Sequence, residues 1–412
     1  MAAQTLEGLA DSTHTLHGEN GENGEARPAH WGGVFAMALC VFALIASEFM
    51  PVSLLTPMAT DLHVSEGMAG QGIAISGAFA VITSLSISAL AGRMNRKTLL
   101  LVLTALMCLS GAIVALAPNY ATYMAGRALI GVVVGGFWSM SAATAMQLVP
   151  PSQVPRALAI FNGGNALAMV VAAPMGSYLG ASVGWRGAFF CLVPVALIAF
   201  VWQWASLPSM QAQPRAPGSG NVLRLLQNRR VVLAMLAIGL FFMGQFALFT
   251  YLRPFLETVT QVDAATFSLM LLTLGVAGFI GTAVIGWFLQ RGVFRTLAVI
   301  PVLMALIAAA LIAVGASVTA TALLLPVWGL VATGAPVGWW TWVARTLPND
   351  AEAGGGLMVA VVQLSIALGS TIGGVLWDAS GYRSTFAFSA GVLLVAAFLV
   401  WLTACADPAP SA

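Results

Sequence analysis

Glu48 is the one carboxylate that lies deep inside a long apolar stretch of this sequence. An acidic side chain at the centre of a membrane-spanning helix costs about 3 kcal/mol, so structural needs alone seldom retain it. The other acidic residues lie in the polar N-terminal segment, in predicted loops or at the ends of apolar stretches, as Asp378 does. We therefore expect Glu48 to take up and release a proton during function, with a structural ion pair as the alternative.

Arg127 is the corresponding basic residue inside an apolar stretch. Glu48 lies about seven residues before the end of the first predicted span, and Arg127 about seven residues after the start of the fourth. At 1.5 Å per residue, both therefore lie roughly 10 Å below the same membrane surface. We expect the two side chains to face each other across the wall of a cavity in the N-terminal half, as a proton-coupling pair.

One face of the fourth span extends from Arg127 toward the opposite membrane surface. Side chains three and four positions apart share a helix face, and this spacing connects Arg127, Gly131, Val134, Trp138 and Ser141. We expect this face to line the cavity. The alternative is that Gly131 and the neighbouring glycines only allow helices to pack closely.

Amide and indole side chains inside apolar stretches are further candidates for contact with a solute. Asn162 and Asn165 share one face of the fifth span, and Gln363 lies in the eleventh. Many tryptophans lie near span ends, where aromatic belts are usual. The deeper ones, which are suited to stacking on a flat ring, are Trp138, Trp339 and Trp340. Helix packing and helix–helix hydrogen bonds are the alternatives for these residues.

The elements that hold these residues are predicted to be membrane helices. The sequence is 59% hydrophobic and 7% charged, whereas soluble domains carry about 25% charged residues. Only helices or closed barrels satisfy backbone polar groups in lipid, and unbroken apolar runs exclude the alternating pattern of a barrel. The sequence therefore predicts an all-α membrane protein with about twelve spans of roughly 20 residues, the fourth of them over residues 121–146.

Polar breaks organise the chain into two halves of six spans. We predict a disordered cytoplasmic tail over 1–30, a six-helix bundle over 31–207, a cytoplasmic linker over 208–230, a second six-helix bundle over 231–405 and a short tail over 406–412. Most of the 16 Lys and Arg residues fall in segments on the same side as the N-terminus, which predicts that both termini are cytoplasmic. Because the basic residues are concentrated on one side of the membrane, the net charge of +2 does not indicate a nucleic-acid partner.

The two halves resemble each other at an offset of about 200 residues, as expected for a repeated transporter unit. Matching strings include Glu48-Phe49 with Gln245-Phe246, and Gly184-Trp185-Arg186 with Gly381-Tyr382-Arg383. In such proteins the substrate binds near the middle of the membrane, where the halves meet. Glu48 and Arg127 correspond to the neutral residues Gln245 and Gly329, so both buried charges belong to the N-terminal half. Gln245 joins the candidate substrate contacts.

Several functions are disfavoured by what the apolar stretches lack. All four histidines lie in the N-terminal segment or a loop, and the four cysteines have no metal-ligand spacing. We therefore expect neither a metal site nor a catalytic centre. The sequence contains no Gly-Lys-Ser/Thr phosphate-binding motif, so ATP is not expected to drive the protein directly. These features predict a secondary active transporter that has no cofactor and uses an ion gradient.

The strings themselves resemble the major facilitator superfamily, and within it the bacterial purine ribonucleoside efflux pumps of the twelve-span drug:proton antiporter group. The resemblance covers residues 31–405 and rests on EFMPVSLLTPM from Glu48, GRALIG from Gly126, GGFWSMSA from Gly135, APMGS from Ala173, GQFALFTYLRP from Gly244 and PVGWWTW from Pro336. Arg127 and Gly131 resemble the superfamily's Arg motif. Pro174 and Gly176 resemble the Gly-Pro motif of antiporters, although Ala173 replaces its first Gly.

The loop between the second and third spans, SALAGRMNRK, departs further from the superfamily's pattern. Arg93, Arg96 and Lys97 are retained, but Gly92 and Asn95 replace an Asp and a Gly. The missing Asp affects the latch that the superfamily forms between its halves. It does not affect the implied fold, which is two pseudo-symmetric six-helix bundles around a central cavity.

The resemblance implies proton-coupled export of purine ribonucleosides such as inosine and guanosine, and of purine analogues, by a monomer in a bacterial inner membrane. On this basis, protonation of Glu48 and binding of the solute exclude each other, and Trp138 and Trp340 contact a base. The further substrate contacts are Ser141, Asn162, Asn165, Gln245, Trp339 and Gln363. The residues alone indicate an antiporter for a mostly neutral solute. An exporter of sugars, drugs or amino acids and a passive channel remain alternatives.

Overall fold

The structure is a computed structural model that describes residues 29–90, 94–150, 153–210, 225–347 and 351–405. In these ranges the chain forms helices joined by short turns. The helices are α1 Trp31–Asp61, α2 Glu66–Leu90, α3 Arg96–Ala115, α4 Tyr120–Trp138, α5 Ser141–Gln147, α6 Val154–Ser206, α7 Arg229–Phe249, α8 Leu252–Phe255, α9 Ala264–Arg291, α10 Val293–Val314, α11 Val318–Thr346, α12 Ala351–Ser380 and α13 Tyr382–Cys405. A π-helical turn, Leu256–Thr260, follows α8. The predicted tails lie almost wholly outside the described residues, as does most of the predicted linker.

In the described part of the chain, 11 helices are long and apolar enough to cross a membrane. One of them, α6, contains 53 residues. At 1.5 Å per residue it is about 80 Å long, whereas the hydrocarbon core of a bilayer is about 30 Å thick. The backbone of α6 leaves the helical conformation at Gly184, where φ is 78° and ψ is 164°. Division at Gly184 turns α6 into two spans and gives twelve among the described residues, in agreement with the sequence prediction.

The bend at Gly184 has a counterpart in the second half of the chain. Gly381 lies between α12 and α13 with a φ of 76°, close to the value of 78° at Gly184. A positive φ is readily adopted by glycine and is strained for residues that carry a Cβ atom. These two glycines begin the matching strings found in the sequence, so the two halves share the same backbone turn between their fifth and sixth spans.

The predicted fourth span is wrong at its second end, because α4 ends at Trp138 instead of continuing to residue 146. The Ser139 hydroxyl donates a hydrogen bond to the Gly135 carbonyl at 2.6 Å, and Met140 has a non-helical φ of −136°. Serine side chains that bond to the preceding turn compete with the backbone and bend or end helices. Ser141 therefore begins the separate helix α5 and does not continue the face of Arg127.

Each half has its own apolar core, one formed between residues 225 and 400 and the other between residues 34 and 210. The halves meet where α2 packs against α12 and where α6 packs against α9. A small apolar cluster at this interface contains Val52, Phe246 and Ile366. Large apolar side chains on the outside of the bundle, such as Phe279 and Trp401, are exposed, as expected for a surface that faces lipid.

Candidate functional site

Glu48 lies on α1 at the interface of the two halves and is only 5% exposed. One oxygen of its carboxylate, Oε1, accepts a hydrogen bond from Nε2 of Gln363 at 3.3 Å. Gln363 belongs to α12, so this bond joins the two halves of the chain. The structure thus brings together two residues that the sequence analysis had placed separately, one as a proton site and the other as a solute contact.

Arg127 on α4 is 1% exposed and donates three hydrogen bonds to backbone carbonyls. Nη1 donates to Ser47 at 2.7 Å, Nη2 to Glu48 at 3.0 Å, and Nε to Gly72 on α2 at 3.0 Å. The Ser47 carbonyl is available because Pro51, four residues later, has no N–H to complete the helical hydrogen bond. Arg127 therefore holds the backbone that carries Glu48.

The expected contact between Arg127 and Glu48 thus runs through the backbone. In the described residues, Arg186 with Asp61 and Arg253 with Glu257 form ion pairs, and Arg127 with Glu48 does not. The Glu48 carboxylate is directed to the opposite half, where Gln363 is its donor. This geometry separates two roles, because the arginine positions α1 while the carboxylate contacts the second half.

Two amide oxygens at the interface of the halves are buried without a hydrogen-bond partner among the described residues. They are Oε1 of Gln363 and Oε1 of Gln245, whose side chains are 6% and 9% exposed. A buried acceptor that lacks a donor costs about 1–3 kcal/mol. Both oxygens are suited to accept hydrogen bonds from a solute that enters between the halves.

Gln245 lines a cavity between the halves together with aromatic and small residues. The lining residues are Phe49 on α1, Ala168, Met169, Ala172 and Ala173 on α6, Gln245, Phe246 and Phe249 on α7, Leu274 and Gly275 on α9, and Trp328, Gly329, Ala332 and Thr333 on α11. Sequence reasoning did not select the three phenylalanines or Trp328. The only available signal was the match between Phe49 and Phe246 in the internal repeat.

The three candidate tryptophans occupy different environments. Trp138 is partly buried at the end of α4 and packs edge to face on Phe161, with ring centroids 6.2 Å apart. Trp339 is 1% exposed inside the core of the second half, and its Nε1 has no partner in the described ranges. Trp340 is 46% exposed. None of the three is among the residues that line the cavity around Gln245.

The remaining polar candidates lie along α5 and α6. Ser141 is fully buried, and its hydroxyl has no partner in the part of the chain that is described. Asn162 is exposed and donates to the Leu158 carbonyl of its own helix at 2.9 Å. Asn165 is partly buried and lies four residues before Met169, so it shares the helix face that reaches the cavity.

Gly131 and Gly176 lie on helix-packing surfaces. A Cβ atom at Gly131 would collide with the backbone of Ser76 on α2, and one at Gly176 would lie 2.6 Å from the Ser53 hydroxyl on α1. Pro174 lies inside α6, two residues before Gly176. Gly131 lets α4 approach α2 closely, and Gly176 lets α6 approach α1 closely. This is the packing role that the sequence analysis left open for Gly131.

The basic loop before α3 makes contacts within its own half. Arg93 lies outside the described residues, and Arg96 and Lys97 begin α3. Asn95 caps this helix by accepting from the Lys97 N–H at 2.9 Å, and its side-chain amide donates to Ser209 at 2.6 Å. Asn95, one of the departures from the superfamily's pattern, thus ties the loop to the segment after α6.

A second set of contacts joins the two halves at the distal end of the bundle. We define the distal end as the end where α1 ends at Asp61 and α12 ends at Ser380. Asp378 accepts from the Gly67 N–H at 3.0 Å and from the Ser65 hydroxyl. The Trp377 indole donates to Glu66 at 2.7 Å. These residues form the distal contact, defined as Ser65, Glu66 and Gly67 against Trp377 and Asp378.

Arg253 on α8 adds a contact that sequence reasoning missed. It is 9% exposed, pairs with Glu257 and donates to the Ser53 carbonyl on α1.

In the described residues, no group of three or more His, Cys, Asp and Glu side chains is arranged to hold a metal ion. Among the described residues, the polar side chains at the interface include the Glu48 carboxylate, its amide donor Gln363 and the amide of Gln245.

Known proteins resemble this chain in sequence and in fold. The family model described as Major Facilitator Superfamily matches residues 37–358. The chain belongs to the Major Facilitator Superfamily. Such proteins are transporters, so this chain is a multi-pass membrane transporter of a small-molecule substrate and not an enzyme.

Two curated relatives in this superfamily are similar to the chain over almost their whole length. "Transcription regulatory protein OpdE" of Pseudomonas aeruginosa is 67% identical over 377 residues, which are 91% of this chain and 94% of the relative. "Purine ribonucleoside efflux pump NepI" of Salmonella paratyphi B is 40% identical over 375 residues, with the same shares of both chains. The NepI proteins of several other Salmonella strains are also 40% identical.

Solved structures of superfamily members share the fold. A bacterial homolog of the human lysosomal transporter Spinster, in an inward-facing and unoccupied conformation, has a TM-score of 0.75 at 14% identity. This match covers 93% of the present chain and 100% of the other. The human organic anion transporter MFSD10 has a TM-score of 0.66 at 19% identity and covers 91% and 100% of the two chains.

Proposed function

We propose that this superfamily member is a proton-coupled exporter of purine ribonucleosides such as inosine and guanosine, and of purine analogues. It would work as a monomer in a bacterial inner membrane, with both termini in the cytoplasm. The NepI relatives support the solute class, because they are purine ribonucleoside efflux pumps and align with 91% of this chain. Proton coupling rests on one observation, the buried Glu48 carboxylate that bonds Gln363 across the halves.

The coupling follows from what an ionised carboxylate requires in an apolar interface. Ionised Glu48 needs donors, and in this structure its donor is the Gln363 amide. A solute that supplies a donor to Glu48, or that holds Gln363 in position, favours the ionised form. Proton uptake removes this requirement and favours the form without solute. Because binding linkage is reciprocal, the proton and the solute each weaken the binding of the other.

The available energy is sufficient for such an exchange. One proton that moves down about 100 mV and about one pH unit releases roughly 2.3 plus 1.4 kcal/mol. This supports a gradient of several hundred-fold for a neutral solute. Arg127 would position the backbone of Glu48 throughout the cycle, because its three donors are already used by carbonyls. Gln245, Gln363, Asn165, Asn162, Ser141 and the tryptophans Trp138, Trp339 and Trp340 remain the proposed solute contacts.

The test is transport of radiolabelled inosine in oriented vesicles with and without an imposed proton gradient. Wild-type protein should move inosine only with the gradient, whereas Glu48→Gln should bind inosine and lose gradient-driven transport. Asp263→Asn is the matched control, because Asp263 is an exposed carboxylate that caps α9 outside the interface. Undiminished gradient-driven transport by Glu48→Gln would refute proton coupling at this residue.

Other solutes of the same fold, such as sugars, drugs or amino acids, are tested in parallel. Cells that express the protein are exposed to a panel of toxic analogues from each class, and resistance identifies the exported class. Resistance to purine nucleoside analogues supports the proposal, and resistance only to another class contradicts it. A passive channel would carry solute at the same rate in the presence of an uncoupler.

The relative named for transcription regulation favours a second candidate function, control of gene expression. A transporter can serve that function by changing the internal concentration of a regulatory solute. Glu48→Gln separates the two possibilities in a strain with a transcriptional reporter. If Glu48→Gln loses both transport and the reporter response, the response depends on transport. An intact response in this variant would indicate a regulatory activity that is independent of transport.

A further inference from the structure

The buried amide of Gln245 differs from its counterpart in the repeat by having no donor. Glu48 and Gln245 occupy matching positions of the two halves, and Glu48 receives a hydrogen bond from Gln363. Oε1 of Gln245 is buried and receives none from any described residue. It lines the cavity between the halves, so the donor that it needs can come from a molecule bound there.

An aromatic wall stands beside this amide. Phe49 and Phe246, which also match in the repeat, stack with ring centroids 5.6 Å apart and planes inclined by 30°. Phe249 packs edge to face on Phe246 with centroids 5.9 Å apart. Phe246 is 4% exposed, whereas Phe49 and Phe249 are partly exposed and can present ring surface to a bound molecule.

Several of the other residues that line this cavity have little or no side chain. Ala172 and Ala173 contribute from α6, Gly275 from α9, and Gly329 and Ala332 from α11. Aromatic rings and small residues around one cavity favour a ligand with a flat ring. Aromatic residues pair well with other planar rings at centroid distances of about 4.5–7 Å.

The chemistry of a glutamine side chain defines the edge of that ligand. A carboxamide presents an acceptor oxygen and a donor NH₂ side by side. Its complement is a ring edge with one N–H next to one acceptor, which is how glutamine and asparagine recognise nucleobases. In a 6-oxopurine, the N1–H and the C6 carbonyl form such an edge.

We propose that Gln245, Phe49 and Phe249 form a base-recognition subsite, in which the Gln245 amide pairs with the lactam edge of a 6-oxopurine and the phenylalanines contact its ring. This inference rests on the proposed function and specifies its substrate recognition. In this subsite the ring lies against phenylalanines of the interface, whereas Trp138, Trp339 and Trp340, which do not line this cavity, would contact the solute elsewhere on its path.

The test is equilibrium binding of radiolabelled inosine to purified protein, with competition by 1-methylinosine, which lacks the N1–H. Wild-type protein should bind inosine roughly 5- to 150-fold more tightly than 1-methylinosine, the range that corresponds to the discrimination of about 1–3 kcal/mol from a bidentate pair. Gln245→Leu should bind both ligands weakly and to a similar extent. Gln203→Leu is the control, because Gln203 is a buried glutamine that bonds Thr104 inside the first half.

A second variant tests the pairing by changing its pattern. Gln245→Glu, when ionised, offers two acceptors and no donor, which matches the adjacent N1–H and N2–H groups of guanine. Relative to wild type, this variant should prefer guanosine over inosine. Its preference is measured by competition in the same binding assay, so transport and proton coupling do not enter the readout.

The outcomes separate the subsite from the proposed function. If wild-type protein binds no purine nucleoside, the proposed function fails and the subsite fails with it. If wild-type protein binds inosine but does not discriminate against 1-methylinosine, or if Gln245→Leu keeps that discrimination, the subsite is wrong while the proposed function stands. Loss of discrimination in Gln245→Leu and a shift toward guanosine in Gln245→Glu would confirm the subsite.

Discussion

At the scale of single residues, side chains from other helices supply hydrogen bonds to backbone carbonyls of α1 that its prolines leave without a donor. Pro57 has no N–H, so the Ser53 carbonyl lacks its helical donor, and Arg253 of the opposite half supplies one. Arg127 performs the same task for the carbonyl that Pro51 leaves free. The helix that carries Glu48 is therefore held by one arginine from each half of the molecule.

Arg127→Lys should lower both thermal stability and transport. Lysine keeps the charge but replaces a planar fork of donors by a single ammonium group, which cannot reach three separate carbonyls. Each buried carbonyl that loses its donor costs about 1–3 kcal/mol. The measurement is the melting temperature of the purified protein in detergent. Arg156→Lys is the control, because Arg156 is exposed and lies over Trp31; equal melting temperatures for both variants would argue against the structural role of Arg127.

The sequence predicted Glu48 and Arg127 as candidates because charged side chains are rare inside apolar spans. It could not predict Arg253 as an interface residue, since an arginine near the end of a span is ordinary. Phe49 and Phe249 were missed for a related reason. A phenylalanine in an apolar helix is equally suited to lipid, core and cavity, and only the packing of the two halves distinguishes these positions.

At the scale of helices, close packing of α4 on α2 depends on glycine. A Cβ atom at Gly131 would meet the backbone of Ser76, which cannot rotate away as a side chain can. Gly131→Ala should therefore destabilise the protein by about 1–3 kcal/mol, as overpacked substitutions do. Thermal unfolding in detergent measures the effect. Gly163→Ala is the matched control, because a Cβ atom there has nothing within 4 Å; similar melting temperatures would show that α2 and α4 can separate at little cost.

The distal contact also acts through helix ends, because Asp378 caps the N-terminus of α2 from the other half. Its carboxylate accepts from Gly67 and Ser65, at the end where a helix dipole favours negative charge. Asp378→Ala removes hydrogen bonds that contribute about 1.5–3 kcal/mol each when one partner is charged. We expect it to shift the protein toward states that are open at the distal end.

Spin labels at Thr60 and Ser380, in a protein whose native cysteines have been replaced, measure this shift. Both positions are exposed and lie at the distal ends of α1 and α12. The label-to-label distance should lengthen or broaden in Asp378→Ala. Asp263→Ala should leave it unchanged, because Asp263 caps α9 within its own half through the Thr266 N–H. An unchanged distance in both variants would mean that Asp378 does not hold the distal end closed.

Most of the helices could be predicted from hydropathy, because a span requires a length of apolar sequence that few other structures need. The end of α4 could not, since it depends on the Ser139 side chain bonding back to Gly135. Gly184 and Gly381 were noticed in the sequence only as part of the repeat, and the structure shows that both have the positive φ that glycine readily adopts. Local hydrogen bonds, in contrast, leave little trace in composition.

At the scale of the whole molecule, the two halves are joined at the centre and at the distal end. Among the described residues, the side-chain hydrogen bonds between halves run from Glu48 at the centre to Asp378 at the distal end. Ser177 on α6 and Ser268 on α9 form one of them, with hydroxyl oxygens 2.9 Å apart. This pair offers a way to lock the distal end on one side of the interface.

A disulfide between these positions should stop transport without abolishing solute binding. Transport by rocking halves requires the distal end to open, and a covalent link between α6 and α9 prevents this. The two hydroxyl oxygens are 2.9 Å apart, so sulfur atoms at these positions would lie close to each other. Ser177→Cys with Ser268→Cys, in a protein without its native cysteines, should lose inosine transport on oxidation and regain it on reduction. Each single variant serves as the control, and full transport by the oxidised double variant would show that α6 and α9 need not separate at this end.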